Sequence, residues 1–394
     1  MFDLQELELL RNDTPGTEEL IHFNNAGCSL TTTIVRDTVI NYLQEESLKG
    51  GYETEAKYHH DFEKVYASVG QLINAHTNEI AYVESATAAW DLAFHSIPFK
   101  AGDVILTAQC EYASNFIAYL QAKRRHGVEI KVVPNDANGR LSCEALEDLV
   151  DERTKLIAIT HIPTNGGLIN PAEEVGEIAR KHGVYYLLDA CQSVGQMPID
   201  VQKIGCDMLS ATGRKFMRAP RGTGFLYVRK AILEDLDPIF LDLHSAEWTG
   251  RESFKVREGT RRFESMECNF ANKLGFGVAV EYALKVGVEN IWSRIVELAR
   301  YLRKELTKIP ALEVKDLGVE QCGIVSIAIP KVDLFELRDN LKYQGINTSV
   351  IIPSGTLLDM ESRGLNQLLR ASVHYYNTRE EIDIFCQKLG KMIG

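Results

Sequence analysis

Between residues 79 and 228, short apolar runs alternate with stretches of helical spacing. EIAYVES, DVILTAQ, EIKVVP, KLIAITHI and VYYLLDA are separated by helices opening near Thr87, Ser114, Cys143 and Pro171. Runs this continuously apolar need cover on both faces, which is the situation of a mostly parallel sheet flanked by helices. An α/β fold is therefore predicted, with Pro171 at a first helical position where its missing N–H does no harm. Ahead of the sheet, Phe62, Val65, Tyr66, Val69 and Leu72 mark a helix over about 54–74. After about residue 275 the pattern changes. A long amphipathic helix (Trp292, Ile295, Leu298, Ala299, Leu302, Leu306) leads into the strand GIVSIAI and a helix around Leu334–Tyr343. The strands INTSVI and LLRASV and a final helix from Arg379 follow. This reads as a smaller α+β unit. The expected partition is an N-terminal arm with one short helix (1–30), a large domain (31–275) and a small C-terminal domain (276–394).

Chemistry concentrates in LSATGRKFMRAPRGTGFLYV, residues 209–228, where Lys215 sits between a small polar run and a basic, glycine-rich one. Alone, such a segment reads as an exposed basic loop. Upstream, however, the strand VYYLLDA ends on Asp189, leaving room before Lys215 for a loop and one more short strand. A carboxylate ending one strand and a lysine following the next form the pair that pyridoxal phosphate chemistry requires. The amine condenses with the cofactor aldehyde, and the carboxylate keeps the ring nitrogen protonated.

The net charge of −12 argues against a nucleic-acid partner and gives no attraction to anionic membranes. No apolar run approaches a membrane span, and the acidic start MFDLQELELLRND is unlike a signal peptide. The eight cysteines are scattered, without a CxxC pair, and read as free thiols of a reducing compartment. A cytoplasmic location is expected.

From FNNAG near the start to RASVHYYNTREEID near the end, the chain resembles the class V aminotransferase and cysteine desulfurase-like group of fold type I pyridoxal phosphate enzymes. That resemblance implies a large, mostly parallel sheet domain plus a smaller α+β domain. It also implies pyridoxal 5'-phosphate as cofactor, an amino-acid substrate, and a homodimer with active sites at its interface. Its residue-level implications follow the motifs. Lys215 and Asp189 are the expected catalytic pair, with Gln192 at the ring's 3' oxygen. The strand-to-helix junction VESATAAWDL makes an anion site at a helix N-terminus, and the resemblance carries Ala86 and Thr87 over as phosphate ligands. Where the family usually reads Ser-Gly-His-Lys, this chain has Thr212-Gly213-Arg214-Lys215. Thr212 and Arg214 therefore take the phosphate roles, for which arginine is suited. Tyr112, after Glu111, is the expected ring-stacking residue, and in HIPTNGG Thr164 falls at the family's asparagine. Arg370 matches the carboxylate-binding arginine, with Asn24 and Ala26 closing over the same group. In RRFESMECN, Glu267 stands where the family has a threonine reaching a neighbouring subunit's phosphate, so Arg261 or Arg262 is expected there instead.

No cysteine occurs in residues 344–369, the stretch in which a desulfurase of this group carries its nucleophile. The expectation from sequence is therefore β-elimination at a C–S bond of an S-substituted cysteine or its sulfoxide. Class V transamination, then epimerisation, stand as alternatives, and standard cysteine desulfuration is disfavoured. A protein that keeps the fold but uses cofactor only for regulation is a further, non-enzymatic possibility, opposed by the intact Asp189, Lys215 and Arg370.

Overall fold

The computed structural model describes residues 2–394. Its centre is a seven-stranded sheet, in spatial order Ile80–Val83, Gly224–Val228, Met208–Thr212, Tyr185–Asp189, Thr154–Thr160, Val104–Ala108 and Glu129–Val133. Gly224–Val228 runs antiparallel to both neighbours, and every other adjacent pair is parallel. Successive side chains of a strand face opposite ways, and here both sets are apolar. Leu106, Ile157, Ile159, Leu188 and Leu209 join one core with Val175 and Ala179 of the helix Ala172–His182. Ile105, Leu156, Ala158, Leu187 and Met208 join the other with Trp90, Phe94 and Tyr119. The helix Ala172–His182 lies so close to its neighbours that a Cβ at Gly176 would come 1.7 Å from the Ile204 carbonyl oxygen. Pro171 stands one place before that helix, as its cap residue, and not at its first position.

A second, antiparallel sheet has the order Glu313–Val314, Ile324–Ala328, Leu368–Ser372, Ser349–Ile351. The helix Val288–Leu306 covers it with the face anticipated from its spacing: Ile295, Leu298, Ala299, Leu302 and Leu306 are buried. Arg303 of this helix donates from Nε to Asp316 at 2.8 Å, with the Asp316 side chain fully out of solvent. The segment INTSVI is not one strand. Ile346–Asn347 pairs in parallel with Ile21–His22, and Ser349–Ile351 joins the small sheet. The first 30 residues hold two helices, Leu4–Asn12 and Gly16–Glu19, where one was expected.

Three residues beyond Lys215, Arg218 adopts a left-handed backbone (φ 60°), a conformation costly for a residue with a Cβ. Its guanidinium explains why the turn persists. Nε donates to the Leu30 carbonyl (2.8 Å), Nη2 to Thr14 Oγ1 (2.6 Å) and Nη1 to the Tyr375 hydroxyl, while the group sits 4.6 Å from the Tyr376 ring centre. The lysine turn is thus bolted to both ends of the chain. A hairpin, Ala246–Gly250 with Ser253–Val256, presents Trp248 and Phe254 as a cross-strand pair, 75% and 63% exposed. Among the described residues no helix is long and apolar enough to cross a membrane.

Candidate active site

Parallel strands end together, so the residues following them converge at one edge of the sheet, the usual place for a site in this architecture. Thr160, Asp189 and Thr212 each terminate a strand there. One pocket at this edge is lined by Ala86, Thr87, Tyr112, Thr164, Asp189, Gln192, Thr212, Arg214 and Lys215, the full set of cofactor-binding candidates from the sequence. Ser85, Asn115, Thr160, Ile162 and Cys191 share it.

The anion end is built from a helix start. Ser85 caps the helix Ala86–His95 by accepting from the Ala88 N–H at 3.1 Å, which leaves the amides of Ala86 and Thr87 without intrahelical partners. Gly224 permits this turn to approach the sheet, since a Cβ there would meet the Ala211 carbonyl oxygen at 2.5 Å and the Ser85 backbone at 3.0 Å. Thr212 Oγ1 donates to the Thr223 carbonyl (3.2 Å). Arg214 donates to the Gly27 carbonyl, tying the N-terminal arm to the lysine turn.

At the other end Asp189 is 4% exposed. Burial raises its pKa above the usual carboxylate range, against the pull of the Asn115 amide (2.9 Å), the Cys191 N–H (2.8 Å) and the Lys215 charge. Lys215 itself is 8% exposed. Gln192 donates from Nε2 to the Ala26 carbonyl (3.1 Å) and to Thr164 Oγ1 (3.2 Å), while its Oε1 is buried without a partner.

Arg370 lies in the middle of the strand Leu368–Ser372 and reaches the same region from the small sheet. Nη1 donates to both the carbonyl (2.9 Å) and Oγ1 (2.7 Å) of Thr164, and Nη2 donates to Asn24 Oδ1 (3.2 Å). Its Nε is buried and unpartnered. Burial, with the nearby Arg214 charge, brings its pKa down to about 10. Ala26 contributes its backbone, donating N–H to Ser372 Oγ at 2.9 Å. A buried guanidinium without a carboxylate partner is expensive, and this one is tied to the pocket through Thr164.

Sequence reasoning passed over Asn115, Thr160 and Cys191. Asn115 stands one helical turn after Glu111, a spacing that signals contact once the helix Ala113–His126 is placed. The arginines expected to serve a neighbouring subunit's phosphate are committed elsewhere. Arg261 grips Glu63 with two bonds (2.9 and 2.7 Å) and covers the Tyr66 ring at 3.6 Å. Arg262 is buried against Glu234 (2.8 Å) and the Arg257 and Leu233 carbonyls. In the cysteine-free segment 344–369, Asp359 is buried and accepts from Asn165 Nδ2 (2.6 Å) and Arg363 Nη1 (3.0 Å). Burial pushes the thiols of Cys322 and Cys386 up to about 12.

Residues 21–385 match the family described as aminotransferase class-V. A protein of Synechocystis sp. named probable cysteine desulfurase is 31% identical over 399 residues, covering 98% of this chain and 93% of its own. Another of the same name from Methanothermobacter thermautotrophicus is 28% identical, covering 98% of both chains. Among solved structures, the apo cysteine desulfurase of Thermococcus onnurineus NA1 superposes with a TM-score of 0.90 at 25% identity, over 98% of each chain. These relatives overturn β-elimination as the leading expectation. The reason is physical: a missing thiol in 344–369 removes one position for a sulfur acceptor, and the other residues predicted from sequence do not discriminate between the two outcomes.

Proposed function

Because this chain belongs to the class V aminotransferase family, whose cofactor is pyridoxal 5'-phosphate, we propose that it removes sulfur from L-cysteine and releases alanine. The pocket fits the cofactor. Lys215 would supply the amine for its aldehyde and Asp189 the anion for its ring nitrogen, and Tyr112 would stack on the ring. Gln192, whose Oε1 alone lacks a partner, would lie at its ring oxygen, and the amides of Ala86 and Thr87 with Thr212 and Arg214 would hold its phosphate. When bound, the group supplies an electron sink for charge released at the substrate Cα.

The carrying observation is Arg370, a buried guanidinium with a free Nε and no carboxylate partner among the described residues. Thr164 and Asn24 fix its plane, so an α-carboxylate bound there is oriented before any bond changes. Lys215 Nζ then carries the Cα proton. Sulfur leaves as the Cβ–S bond breaks and an acceptor thiolate takes it as a persulfide, while Cβ gains a proton and alanine departs. That thiolate comes from outside residues 344–369, since this segment has no cysteine. The exposed apolar pair Trp248–Phe254 of the hairpin supports a homodimer as the working form.

The test is product analysis with L-cysteine and dithiothreitol. Alanine and sulfide in equal amounts are expected, and pyruvate with ammonia would overturn the assignment. The absence of a thiol from residues 344–369 favours one second reading, transamination, which needs no sulfur acceptor. It predicts transfer of the amino group to an added oxo acid with sulfur retained.

A further inference from the structure

Glu111 has no part in the steps above, yet much of the site floor hangs from it. It is 3% exposed. Its Oε1 accepts from the Tyr112 N–H (2.8 Å), from Asn115 Nδ2 (2.9 Å) and from the Thr160 hydroxyl. Its Oε2 accepts from Thr107 Oγ1 (3.1 Å) and the Tyr119 hydroxyl (3.3 Å). The Asn115 amide also donates to Asp189 Oδ2 at 2.9 Å. One side-chain amide therefore bridges two buried carboxyls, giving one hydrogen to each.

We propose that Glu111 is a positioning residue for the ring-nitrogen carboxylate, fixing Asp189 through Asn115 and setting by its own charge how firmly that nitrogen keeps its proton. The inference rests on the cofactor assignment above. A second negative charge behind Asp189 raises the proton affinity of the whole Asp189–nitrogen unit, and neutralising it lowers that affinity. Burial, with the Asp189 charge adding to it, pushes the Glu111 carboxyl up to about 7 against its hydrogen bonds, so its charge changes near neutral pH. Four other titratable groups with shifted proton affinities, and one lysine, face the pair. Tyr119, from the helix Ala113–His126, is raised well above its usual value, and Cys110, next in the chain, is pushed up to about 12. Around Asp189 stand Lys215, whose charge favours the anion, and Cys191, whose thiol burial raises. Behind the strand end, burial brings His161 down to about 4.

The experiment is a pH titration, from 5 to 9, of the bound cofactor's visible absorbance in the holoenzyme. Wild type should show a transition near neutrality. Glu111→Gln keeps the size of the side chain but not its charge, and should remove that transition while cofactor remains bound. A merely structural glutamate would lower cofactor content or melting temperature and leave the pH profile in place. A Glu111→Gln profile superposing on wild type overturns the proposal. Should that variant fail to fold, Asn115→Ala cuts only the bridge, and the midpoint should move by about half a pH unit or more. An unmoved midpoint is again refutation. The presence of a visible band in wild type reports on the cofactor assignment, and its pH response on Glu111, so the two fail separately.

Discussion

Replacing Arg370 with lysine tests whether the open guanidinium is the carboxylate grip. Nη1 is spent on Thr164 and one hydrogen of Nη2 on Asn24, which leaves Nε and the second Nη2 hydrogen as a free edge. A carboxylate on that edge gains two charge-assisted hydrogen bonds, each worth about 1.5–3 kcal/mol. Lysine retains the charge but offers a single point in place of the fork. One such bond survives, so the loss is about 2–3 kcal/mol, or roughly 10²-fold. The assay is the dissociation constant of L-cysteine, followed through the bound cofactor's visible band, beside that of cysteamine, which lacks the carboxylate. Arg370→Lys should weaken cysteine by about that factor and cysteamine by less than about threefold. An equal loss for both ligands, or none for cysteine, would refute the carboxylate role.

Four further outcomes are expected. Lys215→Ala should abolish the visible band and the borohydride-fixed adduct, and an adduct on another lysine would displace the assignment. Asp189→Asn should retain cofactor but slow exchange of the substrate α-proton by about 10²-fold or more, measured by deuterium incorporation. Gly176→Ala should lower the urea midpoint by the equivalent of about 1–3 kcal/mol, because the added methyl meets the Ile204 carbonyl at 1.7 Å; an unchanged midpoint would mean the helix shifts freely. Sedimentation should give a dimer, and Trp248→Glu with Phe254→Glu should shift it toward monomer; a fully active wild-type monomer would count against the interface.

The sheet was legible because fully buried parallel strands leave uninterrupted apolar runs, and Asp189 and Lys215 stand at the ends of such runs. The strand holding Arg370 was legible from its apolar run, but the arginine's role came only from the family resemblance. What stayed hidden depended on contacts distant in sequence. The basic pair Arg261–Arg262 looked free for an anion, but Glu63 lies 198 positions from Arg261, and no local pattern announces such a partner. Asn115 looked like an ordinary polar residue of a first helical turn, and its bridging role needs Glu111 and Asp189, 74 positions apart from it in the latter case, to meet at the strand ends. The cysteine-free segment was legible as composition but misled about reaction, since it speaks to where sulfur goes and not to which substrate is held.

The grip around Arg370 joins residues separated by 206 and 346 positions, with Asn24 near one end and Arg370 near the other. During synthesis the strands from Ile80 to Val228 emerge while the remaining 166 residues are still to be added, so the proposed cofactor cradle leaves the ribosome before Arg370 does. Arg218 waits as well, since Tyr375 and Tyr376, which hold its left-handed turn, emerge last. A nascent or C-terminally clipped chain would therefore present Lys215 on an unbraced turn. On the roles proposed for these residues, it would take up pyridoxal phosphate and leave the amino acid unoriented, so that completion of the last strand would set when chemistry begins.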